Sequence, residues 1–272
     1  MQRPNEKHTV ERKSRLALAG TESIELLEAP WNAKGDIFAA VTLRGASGGR
    51  VEGYQGFNLA QHVGDRPERV ADNREALAGL LDADLEWHWL DQVHGSDVIV
   101  VSEETRSGSL PKADALVTSS RQQACCILTA DCLPVFFYSR SLRRVAVAHA
   151  GWRGLAGGVL EATLAEFDQD PSSVSVWFGP AIGPCHFEVG EDVRRAFLAK
   201  SHVPDSDAAF SPTGRDGKYM ADLTRLARSR LLAAGVSDIS GDELCTYCSE
   251  SEFYSYRREA KSGRMLSVIY IK

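Results

Sequence analysis

The chain has no apolar run approaching the roughly 20 residues that a membrane-spanning helix needs, so no membrane partner is expected. It has no surplus of positive charge: 31 Lys and Arg face 37 Asp and Glu, for a net charge of −6. Without the basic face that tracks a phosphate backbone, a nucleic-acid partner is not expected either. Cysteine is scarce, with six in 272 residues and no framework spacing, which excludes a disulfide-stapled scaffold. The opening MQRPNEKHTVERKSRLALAG is charged and lacks the apolar stretch of a secretory signal. Residues 1–20 therefore read as a mobile polar leader before one domain covering 21–272, and a cytoplasmic enzyme is the default expectation.

Several catalytic signatures are also missing. There is no GK[ST] phosphate loop, and GWRGLAGG lacks the GxG start of a dinucleotide fingerprint. No HxH occurs, and seven scattered histidines do not supply the histidine clusters of multicopper oxidase sites. Gly45-Ala46-Ser47-Gly48-Gly49 fits the GxSxG pattern, but it runs into a polar, glycine-rich loop rather than the helix that a nucleophile elbow requires. Internal repeats, low-complexity tracts and linkers are absent as well.

What is present fits a substantial globular core, with 43% hydrophobic and 25% charged residues. Strands are predicted near residues 23–28, 36–44, 96–101, 113–118, 124–128, 134–138, 144–149, 174–178 and 265–271. A helix is predicted from Pro67 to Leu81, with Asp65 and Glu68 spaced like a capping box. Others cover about 155–168, 189–200 and 222–234, the last with Asp222 as N-cap and Gly235 as its stop. The stretch 203–218, with its Pro, Ser, Asp and Gly residues, reads as an exposed loop. Strands outnumber helices and do not alternate with them, which argues against a doubly wound sheet.

Three segments stand out for chemistry: DQVHG around His94, TADCLP around Cys132 and AHAGWRG around His149. Each candidate ligand ends an apolar, strand-like run, where rigid scaffolds present functional groups. Two imidazoles and one thiolate suit zinc, and three protein ligands leave a position for water or substrate. The ligands lie 38 and 17 residues apart, so the fold must assemble them. After His149 the chain carries Gly151, which allows close approach of a ligand, and Arg153 at an expected helix N-terminus, where an anion is favoured. Arg257 and Arg258 of YSYRRE are further candidates for the same anion. Cys125 and Cys126 lie in an apolar run and read as core. Cys245 and Cys248 form a CxxC with no second CxxC to complete a zinc ribbon, and the role of Cys185 is open.

With QVHG, ADALVT, TADCLPV, AVAHAGWRG, FGPAIGPCHFEVG and the terminal CTYC…FYSYRRE…GRMLSVIYI in order, the chain resembles the YfiH-like, laccase-domain family from about Asn58 to its C-terminus. That family was first labelled multicopper polyphenol oxidase and later described as purine nucleoside phosphorylase. His186 in GPCHFEVG is a local departure, since relatives often carry another residue there. The resemblance implies an α+β fold: a single domain of mixed β-sheets packed together, with helices outside. It implies zinc bound by His94, Cys132 and His149; copper, higher in the affinity order for nitrogen and sulfur ligands, could displace zinc in vitro. It also implies phosphorolysis of purine nucleosides such as adenosine, inosine and methylthioadenosine, with adenosine deamination as a side activity. The candidate catalytic residues are then His94, Cys132, His149 and Asp131, and Asp131 reads equally as a structural cap. A cysteine hydrolase acting on an amide of a cell-wall precursor, with Cys132 as nucleophile and His149 or His94 as base, uses the same residues in other roles. The copper-dependent polyphenol oxidase of the inherited label is the remaining alternative.

Overall fold

The apolar runs are continuous because their strands are covered on both faces, as the computed structural model makes clear. It describes residues 12–17, 23–45, 53–54, 56–82, 84–106, 108, 110–199, 206–241 and 244–272. The strands are β1 (Arg12–Ala17), β2 (Ser23–Glu28), β3 (Ile37–Thr42), β4 (Glu86–His88), β5 (Val98–Val101), β6 (Ala115–Thr118), β7 (Gln123–Thr129) and β8 (Leu133–Ser139). They continue with β9 (Arg144–Ala150), β10 (Ser175–Phe178), β11 (Glu188–Gly190), β12 (Phe210–Pro212), β13 (Lys218–Ala221), β14 (Asp238–Gly241) and β15 (Met265–Ile271). The α-helices are α1 (Pro67–Leu81), α2 (Trp152–Gly157), α3 (Val159–Ala165), α4 (Glu191–Leu198) and α5 (Leu223–Ala233).

Two six-stranded sheets, ordered β1-β2-β3-β15-β7-β4 and β14-β10-β8-β9-β6-β5, form the centre, and a three-stranded sheet β11-β13-β12 lies beside them. Most pairings are antiparallel, while β4 with β7, β5 with β6 and β10 with β14 are parallel. The fold is therefore the mixed α+β architecture expected. Side chains alternate between faces with period two. From β15, Met265, Ile269 and Ile271 enter the layer between the sheets with Phe136, Val147 and Trp177. Leu266, Val268 and Tyr270 face the other way, toward Leu77 of α1. On the second sheet, Leu133, Val135 and Phe137 pack under α2 to α5. Both faces are thus buried, and such strands read as unbroken apolar runs. Truncating Phe136, fully buried between the sheets, would cost about 3–5 kcal/mol.

The structure departs from the sequence reading at several points. Residues 12–17, read as leader, form β1, an edge strand zipped antiparallel onto β2. Within 203–218, read as an exposed loop, a 3-10 turn (Asp207–Ala209) and β12 form because Phe210 is buried against Phe197 and Tyr219. The helix expected over 155–168 begins at Trp152 and is interrupted by Gly158 at φ +108°, giving α2 and α3. The Asp65 capping box does not form. Arg66 is the N-cap of α1, while Asp65 accepts from Asn58 Nδ2 and Arg69 instead. Asp222 does cap α5, accepting from the Arg225 amide at 2.8 Å. Of the GxSxG segment, residues 46–49 lie outside the described residues.

Candidate metal centre

His149 lies in β9, one residue from the strand's end, and pairs with Pro134 across the β8–β9 hairpin. Cys132 immediately precedes β8, and His94 lies in the connection between β4 and β5. Cys132 Sγ is 4.0 Å from His94 Nε2, and the two imidazoles meet edge to face at 4.7 Å. All three donor atoms lie within 4.8 Å of one another. The burial is graded, with His149 buried, Cys132 half-buried and His94 exposed, so the set has one open side.

Asp114, just before β6, organises this set and was not singled out in the sequence. Its fully buried carboxylate accepts His149 Nδ1 at 2.8 Å and the amides of Gly95, His94 and Val93 at 2.6, 3.0 and 3.3 Å. Burial by itself would push the Asp114 carboxyl up, but these bonds outweigh it and hold it below the ordinary carboxylate value. The amide bonds also hold His94 at φ +59°, a left-handed conformation that costs on the order of 1–3 kcal/mol. With Nδ1 of His149 committed to Asp114, Nε2 is left to face the thiol, the usual arrangement of a metal-ligating imidazole. The signal available in the sequence was an acidic residue in second place of the largely apolar ADALVT.

Cys132 and His149 are electrically matched. Burial would raise the thiol, but the neighbouring His149 imidazolium and hydrogen bonds from both histidines bring Cys132 down to about 6. Burial would lower His149, but the thiolate and Asp114 bring it up to about 9. Without a cation the pair is therefore thiolate and imidazolium, and the site already favours a positive charge beside the sulfur. A glycine makes room there: a Cβ on Gly151 would sit 2.9 Å from His94 Cδ2 and 3.0 Å from Cys132 Sγ. Donor chemistry, mutual distances, the Asp114 bond that orients His149 and the space left by Gly151 all fit a zinc-sized ion on three ligands.

A cavity of about 860 Å³ opens over this set. Its walls include Arg74, Arg257 and Arg264, with Trp89, Phe187 and Tyr256 among the aromatic surfaces. Arg74 lies over the Trp89 ring at 3.8 Å, and Arg264 over Tyr256 at 5.7 Å. Asp131 also borders the cavity, at φ +93°. Its two oxygens accept Thr246 Oγ1 and the Arg257 amide, each at 2.7 Å, so its carboxylate is engaged as a structural tie.

The anion candidates separate. Arg257 borders the cavity, but Arg153 does not; its exposed guanidinium stacks on Trp152 at 4.3 Å. Arg258 is also off the cavity, donating to the carbonyls of Thr246, Tyr247 and Phe253. Gly151 shapes the floor beneath the metal ligands. Arg74 and Arg264 were missed because an arginine in a helical pattern, or in GRMLSV, looks like any solvated cation. Cys125 and Cys126 are fully buried in β7, where burial pushes both thiols up, consistent with core packing.

A family model described as multi-copper polyphenol oxidoreductase laccase matches residues 39–272. A purine nucleoside phosphorylase of Pseudomonas aeruginosa is 44% identical over 89% of this chain and 96% of its own length. The YfiH purine nucleoside phosphorylase of Escherichia coli is 44% identical over 80% and 87%. A crystal structure of a Neisseria meningitidis protein superposes with a TM-score of 0.83 at 42% identity, covering 91% of this chain and 99% of that one.

Proposed function

The chain belongs to the YfiH-like, laccase-domain family, and within it we propose that this member is a zinc-dependent purine nucleoside phosphorylase with adenosine deamination as a side activity. The observation that carries this reading is the three-donor set on the floor of a cavity walled by arginines and aromatic rings. Zinc held by His94, Cys132 and His149 would supply a Lewis acid and lower the pKa of bound water to about 7.

The remaining roles belong to the chain. Arg257 and Arg264 are the groups for phosphate, since guanidinium forks match its oxygens. Arg153, stacked on Trp152, is not carried forward in that role. Trp89, Phe187 and Tyr256 offer ring faces to a purine. Within the cavity, Arg257 and Arg264 would hold phosphate near the anomeric carbon, where orientation lowers the barrier most. A phosphate oxygen bonds to that carbon as the glycosidic bond breaks, and the base leaves with the electron pair and takes up a proton. Asp114 keeps the His149 tautomer fixed throughout, and Asp131 ties the Cys132 segment to Thr246 and Arg257.

One observation favours a second reading. The Cys132 thiolate beside the His149 imidazolium, oriented in turn by Asp114, is the geometry of a cysteine nucleophile. Metal-analysed protein decides between the two. Adenosine should give adenine and ribose-1-phosphate only when phosphate is supplied, while deamination, counted as inosine plus the hypoxanthine released from it, should proceed with or without phosphate. Base release unchanged by phosphate, or amide hydrolysis in zinc-free protein with no nucleoside turnover, would remove the phosphorylase reading.

A further inference from the structure

The CxxC that the sequence left without partners acquires them in the fold. Cys245 and Cys248 lie on the turn after β14, and the loop between β10 and β11 brings Cys185 and His186 against them. The two loops are pinned by a parallel bridge between Ala181 and Cys245, with Thr246 donating its amide to the Ala181 carbonyl at 3.0 Å. We propose that Cys185, His186, Cys245 and Cys248 form a second metal site, a closed four-ligand zinc centre with a structural role.

The donor geometry is the first support. Cys185 Sγ and Cys248 Sγ are 3.7 Å apart, and a tetrahedral zinc with Zn–S near 2.3 Å sets its sulfurs about 3.8 Å apart. His186 Nδ1 is 3.0 Å from Cys185 Sγ and 3.4 Å from Cys248 Sγ. All four donor atoms lie within 4.8 Å of one another. Three thiolates and one imidazole form a recognised structural zinc set, and the soft sulfurs disfavour magnesium or calcium.

The surroundings are the second support. The Gly183 amide donates to Cys245 Sγ at 3.1 Å, the outer-shell bond that orients a metal-bound thiolate. A Cβ on Gly183 would lie 3.1 Å from Cys245 Sγ and 3.7 Å from Cys185 Sγ, so the loop is shaped around sulfur. The His186 ring stacks on Tyr247 at 3.9 Å and 14°, which fixes the imidazole with Nδ1 toward the thiols. None of the four donors lines the cavity, so the centre has no access to substrate there. Its loops nevertheless carry Ile182 and Phe187 of the cavity wall and Thr246, the partner of Asp131. Zinc here would clamp that wall in place.

The test is metal counting by native mass spectrometry on protein purified without added metal or chelator. Wild type should hold about two zinc ions, Cys132→Ala about one, and Cys132→Ala combined with Cys185→Ser and Cys248→Ser none. In metal-loaded wild type, the exposed Cys185 and Cys248 should resist a small alkylating reagent until a strong chelator is added. That measurement stands even if the triple variant does not fold. The proposal fails if Cys132→Ala protein carries no zinc or if the triple variant keeps it. It also fails if Cys185 and Cys248 alkylate at once, or are joined as a disulfide. None of these readouts depends on which reaction the cavity performs.

Discussion

His94, Cys132 and His149 face a cavity, and their supporting carboxylate, Asp114, is fully buried; Cys185, His186, Cys245 and Cys248 lie off that cavity on two pinned loops. Both groups combine sulfur and imidazole, yet the first has three donors and an open side while the second has four. That difference separates a centre built to admit a substrate from one built to fasten chain to chain. The groups that hold the donors in place differ in the same sense. The open site is held by a buried carboxylate taking four hydrogen bonds, and the closed one by the amides of Gly183, Tyr247 and Cys248 on the Cys245 sulfur and a stacked ring.

Removing ligands should break the comparison most sharply. Cys132→Ala should reduce nucleoside turnover to background while leaving the melting temperature nearly unchanged, because the fold is built before the site is. Cys248→Ser should do the reverse, lowering the melting temperature with the activity of the folded fraction largely kept. Activity and thermal melts on both variants check this, and equal effects on both readouts would erase the distinction. Asp114→Asn comes next, with metal affinity or activity falling about 10- to 100-fold. Zinc titration of that variant measures the change.

The anion contacts sharpen the picture further. Arg264→Ala, and more weakly Arg257→Ala, should raise the phosphate KM about ten- to a hundredfold, as expected for loss of a charged hydrogen bond. Arg153→Ala should leave it within about twofold, since that guanidinium lies on Trp152. Steady-state kinetics with varied phosphate tests the three side by side. If Arg153→Ala has the larger effect, the cavity walls have been assigned wrongly.

The smallest effect concerns pH. In zinc-free protein Cys132 should alkylate with a midpoint near pH 6, well below the ordinary thiol value of 9.0. Its lowered pKa adds stability as pH rises from 6 to 9.0 and keeps it above that. The raised pKa of His149 works oppositely, giving stability that is full below 6.5 and lost by about 9. The slopes cancel between 6.5 and 9, so global stability should stay flat there while thiol reactivity is already high. Thermal melts across that range, alongside alkylation rates, measure both.

Much of the fold was legible in sequence because doubly covered strands such as LPVFFYS and MLSVIYI leave uninterrupted apolar runs. Short strands such as β4 (EWH) and β11 (EVG) leave no such pattern, and their pairing is set by neighbours distant in sequence. Gly158 looked like one more helical residue, and only its φ of +108° shows why the helix divides there. At the site, His94, Cys132 and His149 were visible through their motifs. Asp114 was not, because a buried carboxylate is recognised only by what it bonds. Cys185 and His186 escaped for a related reason: about sixty residues separate them from the CxxC that they complete.

The central claim, phosphorolysis at the open centre, is tested most directly by presenting adenosine, phosphate and a phenol together to zinc-loaded, copper-free protein. Ribose-1-phosphate should form in an amount equal to the free base released, adenine together with any hypoxanthine, with phenol oxidation negligible, because neither donor group offers the histidine cluster of a multicopper oxidase. Rapid oxidation of the phenol with every purine nucleoside left intact would contradict the account.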